Sequence, residues 1–173
     1  FIFYGDSENA PYGTKTLKEV QDLTCADAEY LLEQNVKALV VACNTATSAA
    51  IRILRKKYQA QMPVIGIEPA LKPAVSVKKN PRVIVMATPM TIREEKFQKL
   101  LKQFTSRAQI ISLPCPGLVE FVERGELESE ALDDFLSALF APYKDEPIDA
   151  VVLGCTELSV IKKDFKIDSP DVV

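Results

Sequence analysis

The sequence contains no histidine and no tryptophan, and only six glycines and three methionines. Without histidine the usual general base near neutrality and the commonest metal ligand are both missing. Any acid–base chemistry then falls to Cys, Asp, Glu, Lys or Tyr. No GxGxxG and no GxxxxGKS/T occurs, which argues against dinucleotide and nucleoside triphosphate binding. None of the four cysteines sits in a CxxC pair, which argues against a zinc site or a thioredoxin-type motif. No apolar run approaches the ~18 residues of a membrane span, and no secretory signal is visible. The net charge is −3 with the basic residues scattered, so neither nucleic acid nor an anionic membrane is an expected partner.

What is present is ordinary for a globular chain of 173 residues: 47% hydrophobic and 26% charged, enough for one medium domain or two small lobes. A core of that size needs no disulfides, so Cys25, Cys43, Cys115 and Cys155 are expected to be reduced, in the cytoplasm. The chain opens on Phe1 inside an apolar run, FIFY, so the natural N-terminus is expected to lie upstream.

Two stretches organise the rest. Lys37–Thr47, KALVVACNTAT, and Asp149–Leu158, DAVVLGCTEL, each run from a strand-length apolar segment through Ala or Gly to Cys, then to small hydroxyl or amide residues. Each Cys therefore falls where a buried strand ends and a helix begins. Open α/β sheets bind ligands at such ends, and helix N-terminal N–H groups favour an anion, a thiolate included. Two such thiols could face each other across a cleft.

The remaining pattern alternates. Strands are expected at 1–4, 38–42, 63–67, 82–87, 109–113 and 148–153. Helices are expected from a Thr14 or Thr16 cap to about Gln34, over 45–58, after Glu68-Pro69, over 92–104, near 118–123 and over 128–141. Residues 5–13, Thr88–Thr91 and Cys115-Pro116-Gly117 read as loops and turns. The fold class is thus α/β, with mainly parallel sheets flanked by helices. Two similar lobes are expected, 1–78 and 79–167, with KKNP at 78–81 as the hinge, the active site in the cleft between them, and 168–173 beginning a return to the first lobe.

Cys43 and Cys155 are the strongest chemical candidates, although a cysteine also packs well at a strand end as a small hydrophobe. Asn44, Thr45 and Thr156 could hold a substrate carboxylate, or simply cap helices. Pro11, Tyr12 and Gly13 could expose backbone N–H groups to a small anion. Thr88 and Thr91 invite the same two readings. Cys25 and Cys115 read as structural.

Taken together, YGDSENAPYGTKT, VVACNTATSAAI, PVIGIEPALKPAV, VMATPMT and VVLGCTEL resemble the cofactor-independent amino-acid racemases of the aspartate/glutamate racemase family, most closely the glutamate branch. The resemblance spans nearly the whole chain in the family's order. It implies two α/β lobes closing on an amino acid, one catalytic Cys from each, Cys43 and Cys155, and no cofactor. It further implies interconversion of L- and D-glutamate by a two-base proton transfer, supplying D-glutamate for peptidoglycan; a homodimer is one possible assembly. Substrate contacts map to Tyr12, Gly13, Asn44, Thr45, Thr156 and position 157. At 157 glutamate racemases carry His where this chain has Glu157, a catalytic candidate two residues from Cys155; CTE is closer to the aspartate racemases. The family's opening strand and Asp-Ser-Gly turn do not occur in this sequence. Aspartate as substrate, a racemase-like binding protein, and a thiol redox protein using Cys43 and Cys155 therefore stay open.

Overall fold

A computed structural model describes residues 1–164 and 171–172 of the chain. Its strands form two sheets, both parallel. β1 (Leu39–Val41) pairs with β2 (Val64–Gly66). β3 (Arg82–Ala87), β4 (Gln109–Pro114), β5 (Ala150–Leu153) and β6 (Asp171–Val172) form a second sheet in the order β4-β3-β5-β6. The helices between them are α1 (Leu17–Leu32), α2 (Asn44–Tyr58), α3 (Leu71–Ala74), α4 (Pro89–Arg93), α5 (Glu95–Lys102), α6 (Leu118–Glu123) and α7 (Glu130–Phe140). Among the described residues no helix is long and apolar enough to cross a membrane. Of the segment 168–173, only Asp171 and Val172 fall within the described residues, paired with β5.

Period-two alternation explains why β3 is buried on both faces. Val83 and Val85 join Phe97 of α5 and Leu71 and Ala74 of α3 on one side. Ile84 and Met86 join Leu118, Leu132 and Leu136 of α6 and α7 on the other. The β1–β2 sheet is covered on one face only. Leu39, Val41 and Val64 pack on α1 and α2, while Val40 and Ile65, on the opposite face, are about half exposed at 55% and 50%.

Local chemistry sets the helix ends. Thr16 caps α1, its side chain accepting from the Glu19 N–H while Glu19 reaches back to the Thr16 N–H, a complete capping box. Arg55, Lys56 and Lys57 close α2, where the dipole favours cations.

Three expectations need correction. Phe1–Tyr4 is not a strand: no described neighbour supplies it a hydrogen-bonding edge, and Phe1 and Phe3 stand exposed. Thr88–Thr91 is not a loop. Thr88 accepts from the Thr91 N–H and Pro89 sits in the first turn, so the segment opens α4. The helix expected over 92–104 is two helices, because Glu94 is extended between α4 and α5.

Candidate active site

The two strand–Cys turns end in one place. β1 passes through Ala42 to Cys43, the N-cap residue of α2. The Thr47 hydroxyl donates to Val41 O at 3.1 Å and the Thr47 N–H to Cys43 O at 2.8 Å, fixing how the chain leaves the strand. β5 ends at Leu153. The Gly154 N–H then donates to Met86 O at 2.7 Å, and a Cβ on Gly154 would lie 2.5 Å from that oxygen. Only glycine lets the chain run this close to β3 before Cys155.

Cys43 and Cys155 both line a cavity of about 320 Å³, and neither is in a disulfide. Tyr12, Thr45, Thr88, Thr156 and Glu157 line it too. Pro11, Gly13, Asn44 and Thr91 stand behind the wall. Thr91 closes a triangle of buried hydroxyls with Thr45 and Thr88, with oxygens 3.0 to 3.2 Å apart. A Cβ on Gly13 would meet Thr88 Cγ2 at 2.7 Å, so the Tyr12–Thr14 turn lies tight against that triangle. The Pro11 carbonyl accepts from Thr14. Asn44 is buried, and its Oδ1 has no hydrogen-bond partner among the described residues.

The sequence did not single out Asp6, Thr24 and Asp27, which also line the cavity. Asp6 sits in the loop before Tyr12. Thr24 and Asp27 lie three positions apart on the inner face of α1, a spacing that could have grouped them with Val20 and Ala28.

The two thiols differ in setting. Burial raises Cys43, opposed by the N–H groups of Ala46 and Thr45 and by the Thr45 hydroxyl. Burial also pushes Cys155 up, to about 12, and the Glu157 carboxylate adds to the rise. The Cys155 thiol donates to Glu157 Oε2 at 3.7 Å. Glu157 is itself raised, first by burial and then by Glu123. Both sulfurs face two helix N–H groups, those of Glu157 and Leu158 at Cys155, and the Glu157 carboxylate raises both. It ranks second only to burial at Cys155 and lower at Cys43, where the Thr45 hydroxyl is a further donor, so Cys155 is set as the proton-carrying thiol and Cys43 as the better-placed thiolate.

Cys115 lies outside the cavity, buried, its thiol donating to Leu113 O at 3.2 Å and pushed to about 12 by burial. A thiol whose folded value exceeds its unfolded one stabilises fully below the unfolded value, and that stability is lost as pH rises toward the folded one. Between an ordinary 9.0 and about 12, Cys115 and Cys155 should each cost at most about 1.4 kcal/mol per pH unit. Urea unfolding from pH 8 to 11 should show a falling midpoint, with a shallower fall in Cys115→Ala. A midpoint flat across that range would contradict the burial of both thiols.

Comparisons with known proteins agree on one group. A profile of the Asp/Glu/Hydantoin racemase family matches residues 2–172. A glutamate racemase of Clostridium acetobutylicum is 53% identical over 172 residues, covering 99% of this chain and 67% of the relative. One from Clostridium novyi is 52% identical over 174 residues, again spanning 67% of the relative. Among solved structures, the glutamate racemase of Escherichia coli, in complex with L-glutamate and the activator UDP-MurNAc-ala, superposes with a TM-score of 0.82 at 29% identity, covering 95% of this chain and 63% of that one. The glutamate racemase of Francisella tularensis in complex with D-glutamate gives 0.81 at 29% identity, covering 98% and 63%. This chain therefore spans about two thirds of the length of its relatives.

Proposed function

The chain belongs to the Asp/Glu/hydantoin racemase family, and from that premise we propose that it interconverts L- and D-glutamate by passing the α-proton between Cys43 and Cys155. The observation that carries this reading is that both thiols line one cavity, each arriving from the end of a different parallel sheet. Residues 1–78 and 79–167 then act as two lobes that close on the amino acid.

In one direction the Cys43 thiolate takes the α-proton, and the electron pair left on the α-carbon spreads into the adjacent carboxylate. The Cys155 thiol delivers its proton to the opposite face of the same carbon. Cys43 ends as thiol and Cys155 as thiolate, which is the starting state for the reverse direction. Paired thiols suit a nearly symmetric reaction, because each must serve as base and as acid. The α-proton is very weakly acidic, so the site must stabilise charge as it develops. The Thr88 and Thr156 hydroxyls, which line the cavity, can meet the substrate carboxylate while the α2 N–H groups serve the Cys43 sulfur. The burial of Cys155 and partial burial of Cys43 limit competition from water.

Glutamate is favoured over aspartate because the relatives that match over the whole chain are glutamate racemases. The product fits a cytoplasmic supply of D-glutamate for peptidoglycan. The test is circular dichroism on each enantiomer of glutamate and of aspartate. Both glutamate enantiomers should decay to zero ellipticity at rates at least about tenfold above either aspartate. Faster decay with aspartate would reverse the substrate assignment, and no decay with any of the four would remove the activity.

A further inference from the structure

Beyond the thiols, the cavity wall carries a cluster built around one phenol. The Tyr12 hydroxyl lies 2.6 Å from Asp6 Oδ2 and 3.1 Å from Asp27 Oδ2. A phenol has one proton to donate. The shorter contact takes it, to Asp6, which also accepts from the Asn9 side-chain amide at 2.8 Å. The Tyr12 oxygen then turns a lone pair toward Asp27. Two bare oxygens at that distance in a half-buried wall repel, unless Asp27 supplies a proton of its own.

We propose that Asp27 is a positioning residue: as a carboxylic acid it donates to the Tyr12 oxygen and holds the Tyr12–Thr14 turn against the Thr45–Thr88–Thr91 hydroxyls. The turn is then pinned at two points. Asp27 of α1 and Asp6 fix the Tyr12 ring, and Gly13 closes on Thr88 at the cap of α4. Asp27 reaches the substrate only through Tyr12, so its effect falls on binding more than on turnover. This role rests on the racemase reading of the cavity.

The electrostatics agree with the geometry. Burial raises Asp27, and Asp6 raises it further, against the Tyr12 hydrogen bond. Asp6 is held below the usual carboxylate range by its bonds to Tyr12 and Asn9, aided by Lys15. Tyr4 also faces the cluster, raised by burial and then by Asp27 and Asp6, with smaller contributions from Tyr30, whose ring lies 5.0 Å away, and from Glu8. Of the two carboxyls, Asp27 is the one raised and Asp6 the one lowered, the same order in which the two contact lengths assign the proton. As pH rises through the Asp27 titration its donation to Tyr12 is lost, and the turn loosens.

Two measurements test this. The first follows the side-chain carboxyl carbons of Asp6 and Asp27 by NMR against pH in 13C-labelled protein. Asp27 should titrate above Asp6. This reading is obtained whether or not the protein racemises glutamate, so a failure of the racemase assignment and a failure of the Asp27 assignment look different. The second compares kinetics. Asp27→Ala should raise KM for glutamate about tenfold, the worth of one hydrogen bond to a charged cluster, with kcat within about twofold. Asp27→Asn keeps a donor without a titration. It should restore KM to within about twofold of the parent and abolish the rise in KM with pH that the parent shows across the Asp27 titration. Asp27 titrating at or below Asp6, or Asp27→Asn as damaging as Asp27→Ala, would overturn the proposal.

Discussion

Replacing either Cys43 or Cys155 with serine is expected to lower glutamate racemisation by about a thousandfold or more. A positioned acid or base contributes roughly a hundred- to ten-thousandfold, and each thiol serves both roles in a full cycle. Serine preserves the size of the side chain and fails on acidity. A hydroxyl is too weak an acid to become an oxyanion near neutrality, whereas a thiol, with an ordinary value near 9.0, is a far stronger acid even where burial raises it, and at Cys43 N–H donors oppose that rise. The start of α2 does not depend on the sulfur, because Cys43 caps it through its backbone carbonyl, which accepts from the Thr47 N–H. Cys25→Ser and Cys115→Ser should leave turnover within about threefold of the parent, since neither sulfur lines the cavity. Initial rates by circular dichroism with both enantiomers decide it. A Cys43→Ser protein running near the parent rate would exclude the two-thiol mechanism.

Glu157→Gln carries the second large effect. In the parent, burial and the Glu157 carboxylate hold Cys155 near 12. At neutral pH an alkylating reagent should therefore label Cys43 about tenfold faster than Cys155, helped by the greater exposure of Cys43. Removing the charge lowers the cost of a second anion beside it, and a glutamine amide can donate to the sulfur. Cys155 should then alkylate about tenfold faster, though burial keeps it above an ordinary thiol. Racemisation should fall by about ten- to a hundredfold, because a glutamine cannot take up and return the Cys155 proton as the carboxylate beside it can. Equal labelling of the two thiols in the parent, or no change in Glu157→Gln, would make Glu157 a bystander at the rim.

The parts of the fold readable from sequence were those with strong local pattern. β3 and α2 match their expected spans because unbroken apolar runs and a basic last turn leave few alternatives. Of the two caps the sequence offered, Thr14 and Thr16, the structure takes Thr16, which has Glu19 three positions on to complete a capping box. What failed was decided by distant partners or by competing readings of one residue. Phe1–Tyr4 has the composition of a strand, but a strand also needs an edge to pair with. In TPMT the proline reads equally as a breaker and as a helix opener, and the Thr88 side chain bonded to the Thr91 N–H chooses the second. Cys43, Cys155, Tyr12, Thr45 and Thr88 were named from local motifs and share one cavity. Asp27 could not be found that way. Its partner Tyr12 is fifteen residues away, and the helical spacing that groups Asp27 with Thr24 and Ala28 marks a face of α1 without naming what that face meets.

The pairing proposed for Cys43 and Cys155 sets two thiols on opposite faces of one carbon. It is tested most directly by converting L-glutamate in deuterium oxide and stopping the reaction early, with both enantiomers analysed by mass spectrometry after chiral separation. D-glutamate should carry one deuterium at the α-carbon while recovered L-glutamate is still protiated, because the group that removes the proton is not the group that returns one. D-glutamate that retains its original α-proton would mean a single base serving both faces, and would contradict the assignment of Cys43 and Cys155 as a pair.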